Sequence, residues 1–139
     1  MDVALAEAWK SYGEGGLPIG AVLTEGGQIV AQGHNRRVQA GDPTAHGEMD
    51  CLRAAGRRVT YRNTVLFTTL SPCMMCAGTI VQFKIPRVVI GENVNFGGNI
   101  EFLRARGVED VVLESPGCIE LMRRFMAEKP GLWNEDIAE

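Results

Sequence analysis

Apolar positions at helical spacing open the chain. Val3, Leu5, Ala6, Ala8 and Trp9 follow Asp2, a candidate N-cap, and predict a helix to about Tyr12. Gly13, Gly15 and Gly16 end it. Residues 19–24 and 28–32 then flank Glu25-Gly26-Gly27, the pattern of a hairpin. Helical spacing returns over residues 44–56, with Gly56 at the C-terminal end. Residues 64–68 are β-branched and aromatic and predict a strand. Ser71-Pro72 predicts a helix start, a hydroxyl cap followed by proline in the first turn, for a helix running to about Phe83. Beyond it come a strand at 87–90, a helix at 101–106, a strand at 108–113 and a helix at 118–128. The last places Leu121, Met122, Phe125 and Met126 on one face. Lys129-Pro130-Gly131 breaks that helix and leaves a short amphipathic tail over residues 132–139.

After the opening hairpin, strands and helices alternate. That order predicts an α/β fold: a three-layer α/β/α arrangement with helices on both faces of a mixed five-stranded sheet. No internal repeat, linker or low-complexity stretch divides the sequence, so residues 1–139 are expected to form a single domain. With 45% hydrophobic and 22% charged residues in 139, the composition is that of a globular protein able to bury a core unaided. No apolar run reaches the ~20 residues of a membrane span, and no basic-then-apolar leader opens the chain. Cytosol is the expected compartment. Thiols stay reduced there, so the four cysteines are read as ligands, nucleophiles or buried apolar groups rather than as bridges.

The formal net charge of −3 argues against a grip on a long polyanion, because neutralising phosphates supplies most of that affinity. Arg36-Arg37, Arg57-Arg58 and Arg123-Arg124 form local pairs, each read as a solvated face. A small-molecule partner is therefore expected, with neither nucleic acid nor membrane.

The chemistry concentrates at two predicted helix starts. His46-Gly47-Glu48 lies at one, and Pro72-Cys73-Met74-Met75-Cys76 at the other. Cysteines three apart in a helix present both sulfurs on one side of one turn. A helix N-terminus also favours their ionised form. Two thiolates and an imidazole are the ligand set of a catalytic zinc site that leaves its fourth position to water. Two thiolates cancel the dication, and coordination brings the water's pKa from 15.7 towards ~7. Glu48 stands two residues from His46, too close for comfortable coordination of the same ion but well placed to move protons. A purely structural site closes with four protein ligands, and a fourth is missing: Cys51 shares the His46 helix, and Cys118 lies far along the chain.

Histidine-x-glutamate followed by proline-cysteine-x-x-cysteine resembles the signature of zinc deaminases. The likeness extends over nearly the whole chain, through Gly15 to Gly20, Gly33-His34-Asn35, Thr68 to Cys73, Val89 to Phe96 and the Trp133-Asn134-Glu135-Asp136-Ile137 tail. On these residues the chain resembles the cytidine deaminase-like superfamily, and within it the fungal type of cytosine deaminase. The resemblance implies one zinc ion on His46, Cys73 and Cys76, with Glu48 as the proton carrier. It implies that Asn35 and the Gly47 N–H contact the ring, that Ser71 lies beside the leaving amine, and that Leu70, Ile19 and Phe96 form walls. Trp133 would cover the pocket and Asp136 reach the ring. It also implies a homodimer.

A carboxylate such as Asp136 only accepts hydrogen bonds. A free base offers a ring N–H where a nucleoside carries its sugar, so Asp136 would reject nucleosides by leaving a buried charge unpaired. The expected reaction is cytosine to uracil and ammonia, with guanine or a related ring, and adenosine in transfer RNA, as the competing substrates. Two positions depart from the fungal pattern. Val38 replaces a phenylalanine and widens the expected pocket, and Met74 replaces an aspartate. His34 is read as a scaffold histidine, and Cys51 and Cys118 as buried apolar thiols.

Overall fold

The computed structural model describes residues 1–139. Its elements in order are α1 (Asp2–Gly13), β1 (Gly20–Glu25), β2 (Gln28–His34), α2 (Arg37–Ala40), α3 (Gly47–Ala55), β3 (Thr64–Leu70), α4 (Met74–Gln82), β4 (Arg87–Glu92), α5 (Ile100–Ala105), β5 (Glu109–Val112), α6 (Pro116–Glu128) and α7 (Pro130–Asp136). The five strands form one mixed sheet in the order β2-β1-β3-β4-β5. β1 runs antiparallel to both β2 and β3, whereas β3, β4 and β5 are parallel. Each parallel step needs a crossover, and α4 and α5 supply them.

Side-chain alternation divides the sheet into two packed faces. On one, Ala21, Leu23, Leu66, Val88 and Ile90 meet Cys51 and Leu52 of α3, Ala77 and Ile80 of α4, and Leu103 of α5. Glycine marks the closest approaches on the other. A Cβ at Gly20 would strike the backbone of α1 at Ala4, and one at Gly91 would strike Cys118 of α6. The three-layer expectation holds. A second, smaller core joins Leu17, Ile19 and Leu70 to Met122 and Phe125 of α6 and Trp133 of α7. That core seats the C-terminal segment against the end of β3.

Three local expectations need correction. Asp2 lies inside α1, which Met1 caps without any side-chain hydrogen bond. Residues 44–46 precede α3, because His46 is its N-cap in an extended conformation. Ser71 does not cap α4 either; Cys73 holds the N-cap position. The Ser71 hydroxyl instead donates to the carbonyl of Gly97 at 2.9 Å. The proline at 130 starts α7 rather than merely ending α6, in keeping with its fixed φ at a first helical turn.

Candidate metal centre and substrate pocket

Two helix N-termini meet beyond the C-terminal end of β3, the place where α/β sheets gather ligands. Each contributes its N-cap residue: His46 from α3 and Cys73 from α4, with Cys76 one turn further on. His46 Nδ1 lies 3.5 Å from Cys73 Sγ and 3.8 Å from Cys76 Sγ. The three ligand atoms all fall within 4.8 Å of one another. A tetrahedral zinc with Zn–S near 2.3 Å and Zn–N near 2.0–2.1 Å requires ligand atoms about 3.6–3.8 Å apart, so the residues fit the ion. No fourth histidine, cysteine or carboxylate joins the group.

Protons tell the same story. Cys76 donating to the Cys73 sulfur is the main reason that Cys73's pKa falls to about 4, with His46 assisting against burial. The same contact, reinforced by burial, pushes Cys76 well above the ordinary thiol range. Burial works against a charge on His46, but Cys73, Asp136 and Glu48 together raise its pKa to about 9. The three side chains thus compete for protons much as they would share a dication, and binding the ion would displace protons from them.

Glu48 stands in the first turn of α3 and is 4% exposed. Its Oε1 lies 2.9 Å from the Thr68 hydroxyl, and its Oε2 lies 3.3 Å from Cys76 Sγ. Burial, then the Cys73 charge, raises its pKa. Thr68 Oγ1 also lies 3.1 Å from the carbonyl of Leu70. The hydroxyl can therefore donate to a Glu48 carboxylate, or accept from a protonated Glu48 while donating to Leu70.

Asp136 reaches in from α7. Its side chain is 4% exposed, with Oδ1 3.4 Å from His46 Nε2 and no hydrogen-bond partner. Burial raises its pKa, opposed by His46, Arg37 and the Asn35 side chain. Ile19, Leu70, Ser71, Phe96, Trp133 and Asp136 line one small cavity with His46, Glu48, Cys73 and Ile137. Phe96 and Trp133 meet edge to face, their centroids 5.7 Å apart. The cavity measures about 20 Å³, room for roughly one water, with Trp133 and Ile137 on its C-terminal side.

Asn35 and Gly47, the two other expected ring contacts, are not among the residues that line the cavity. Asn35 is fully buried, its backbone N–H donating to Ile19 and its Oδ1 accepting from the Arg37 N–H, while Nδ2 has no partner. Gly47 is buried where any Cβ would press on the Ile19 carbonyl. Val38, by contrast, is 39% exposed and outside the lining, so it does not widen the cavity as expected. Met74 faces solvent.

Thr68 and Ile137 fall in the segments that carry the resemblance, but the sequence reading gave them no role in the site. A buried threonine two residues before Leu70 looks like any strand residue, and in a short amphipathic tail Ile137 looks like ordinary packing. His34 is also more than scaffold packing. Fully buried, it bridges Glu7 at 2.6 Å and Glu14 at 2.7 Å. A larger cleft, about 530 Å³, lies elsewhere, at the C-terminal ends of α3 and α4.

Three protein ligands with no fourth and a buried acid on an α/β/α sandwich define the site of a metal-dependent hydrolase. The chain belongs to the cytidine and deoxycytidylate deaminase zinc-binding family, whose model matches residues 1–92. Zinc is accordingly the metal of the three-ligand site. A cytosine deaminase from Candida albicans is 49% identical over 142 aligned residues, spanning 100% of this chain and 95% of that protein. A tRNA-specific adenosine deaminase from Buchnera aphidicola is 44% identical over 94 residues, covering 66% of this chain and 62% of its own length. Among solved structures, a guanine deaminase from Nitrosomonas europaea superposes with a TM-score of 0.78 over 91% of this chain and 82% of its own, at 23% identity, and shows the shared fold.

Proposed function

We propose that the protein deaminates free cytosine to uracil and ammonia. The observation that carries the reading is Asp136: a buried carboxylate oxygen that faces His46 but makes no hydrogen bond, in the same cavity as Glu48, His46 and Cys73. A ring N–H is the group that would satisfy it, and a nucleoside has its sugar there. Full-length similarity to a cytosine deaminase supports the same choice.

Zinc held by His46, Cys73 and Cys76 would supply Lewis acidity, lowering the pKa of a coordinated water towards ~7. Glu48 then takes a proton from water and delivers it to N3 while the water oxygen bonds to C4. From the resulting tetrahedral carbon, Glu48 carries the second proton to the amine. The C4–N bond breaks, ammonia departs and the C4 carbonyl forms. Thr68 suits this cycle because it can partner Glu48 in either protonation state. Ser71, its proton engaged by Gly97, keeps lone pairs to accept from the amine. Apolar Ile19, Leu70 and Phe96 exclude water, and Trp133 covers the bound ring.

The same reading treats residues 1–139 as one catalytic domain, supported by two cores built on a single sheet. It assigns the enzyme to the cytosol, where the metal-binding thiols stay reduced, and to pyrimidine salvage, because its product is uracil. A homodimer would cover Met74 and Phe83, exposed at either end of α4. No helix is long and apolar enough to cross a membrane.

A panel of cytosine, cytidine, guanine and adenosine-containing tRNA, scored by ammonia release from the zinc-loaded enzyme, tests the proposal. Cytosine should exceed cytidine in kcat/KM by more than about 100-fold; a preference for nucleoside, guanine or tRNA would overturn it. One feature favours the tRNA reading. Arg53, Arg57, Arg58, Arg62 and Lys84 share the large cleft, and only Arg58 is ion-paired, to Glu25. That reading requires tRNA binding that weakens steeply with salt.

A further inference from the structure

Glu92 ends β4 and is fully buried, yet no lysine, arginine or histidine pairs with it. A buried carboxylate is costly unless its oxygens are occupied. Here the following loop occupies them. Oε2 accepts the backbone N–H of Val94 at 2.7 Å and of Asn95 at 2.9 Å. Oε1 accepts from Asn95 Nδ2 at 3.0 Å, and that amide also donates to the carbonyl of Ile119 in α6. The next residue is Phe96, which lines the cavity against Trp133. Gly97 follows, its carbonyl engaged by Ser71. Backbone bonds from Ser71 N to the Glu92 carbonyl and from Asn99 N to the Pro72 carbonyl stitch the loop's two ends to the segment entering α4. Between these stitches the backbone of 93–96 hangs on the Glu92 side chain.

We infer that Glu92 is a positioning residue that sets the Phe96 wall, and through it which ring the pocket admits. The inference rests on the pocket binding a free base. A neutral glutamine would fill the same volume while changing the bonding. Its single carbonyl oxygen can still take the two backbone N–H groups, but its NH₂ then meets Asn95 Nδ2, donor against donor. The loop loses its anchor to α6, and Phe96 loses its register against Trp133.

The test is a double-mutant cycle of Glu92→Gln and Phe96→Ala on the zinc-loaded enzyme, read as KM and kcat for cytosine and for 5-methylcytosine. Alone, E92Q should raise the KM for cytosine about tenfold with kcat changed less than about threefold. It should also lower the preference for cytosine over the methylated ring. In the F96A background the same substitution should change KM by no more than about twofold, because the wall it positions is gone. Equal effects in both backgrounds, or a fall in active fraction with KM and preference intact, would overturn the inference.

Hydrogen exchange tests the clamp without any substrate. The Val94 and Asn95 amides should exchange at least about tenfold faster in E92Q. Fast exchange in both proteins refutes the clamp itself. Wild-type protection with no turnover of any free base refutes the proposed reaction instead. If E92Q does not fold, Asn95→Ala, which spares both backbone bonds, should shift KM and preference in the same direction, and no shift refutes the inference.

Discussion

Replacing Asp136 with alanine separates recognition from metal binding. In the free protein its Oδ1 is buried without a hydrogen bond, 3.4 Å from His46 Nε2. When a ring N–H arrives, the pair becomes a charge-assisted hydrogen bond, worth about 1.5–3 kcal/mol net. Since every 1.4 kcal/mol is a factor of ten, D136A should cost roughly 10- to 150-fold in cytosine kcat/KM. The same change removes the penalty against a sugar, so the cytosine-to-cytidine preference should narrow by at least as much. Stability should respond differently. Truncation removes a buried carboxylate that makes no hydrogen bond and only a long contact to His46, offsetting the few atoms of packing lost, so the thermal midpoint should fall by no more than about 3 °C. The assays are steady-state kinetics on both substrates, zinc content by elemental analysis and a thermal melt. A wild-type preference ratio in zinc-replete D136A would refute the recognition role. Parallel loss of zinc and activity would mean that Asp136 serves His46 rather than the ring.

Thr68→Val keeps shape but removes the hydroxyl that supports Glu48. Turnover should fall about 10- to 100-fold with zinc retained, and unchanged kcat would remove Thr68 from the proton path. Zinc binding should release about two protons near pH 7, one from His46 and one from Cys76, since Cys73 is already ionised there. Affinity should therefore fall as pH drops, and calorimetry in buffers of different ionisation enthalpy that finds no proton release would contradict the ligand set. The His34 cluster gives a pH dependence of folding. Burial raises the pKa of Glu7, but the hydrogen bonds from His34 and Gln32 outweigh it and leave the value lowered; His34 likewise lowers Glu14. Groups depressed in the folded state stabilise above their unfolded value, 4.5, and lose that contribution as pH falls through the folded value. Urea midpoints should thus decline from about pH 5 to 3, less steeply in Glu14→Gln, and parallel slopes would exclude Glu14 from the effect.

The sequence exposed most of the architecture because its strongest signals are local. The Glu25-Gly26-Gly27 turn, the β-branched run before Leu70 and the apolar stripe of α6 each sit where spacing put them. Helix starts were harder to place, for a physical reason. Ser71 looks like a cap, but Gly97 claims its hydroxyl from 26 residues away, leaving the N-cap to Cys73. Tertiary bonding overrode a local preference. The metal ligands were legible because their chemistry demands fixed spacing. Thr68, Glu92 and the Glu7 and Glu14 partners of His34 were not, since a buried polar residue gives no sign of which distant group satisfies it. Val38 shows the converse error: a difference from related sequences implied a wider pocket, whereas the chain leaves that side chain at the surface.

Glu48→Gln, assayed for zinc stoichiometry and ammonia release on one preparation, bears on the central claim most directly. Glutamine keeps the side-chain volume beside Thr68 and Cys76 but cannot carry a proton. Zinc should remain near one ion per chain while kcat falls by about 10²–10⁴. Zinc lost together with activity would make Glu48 a ligand, and undiminished turnover would leave the protein's proton carrier elsewhere.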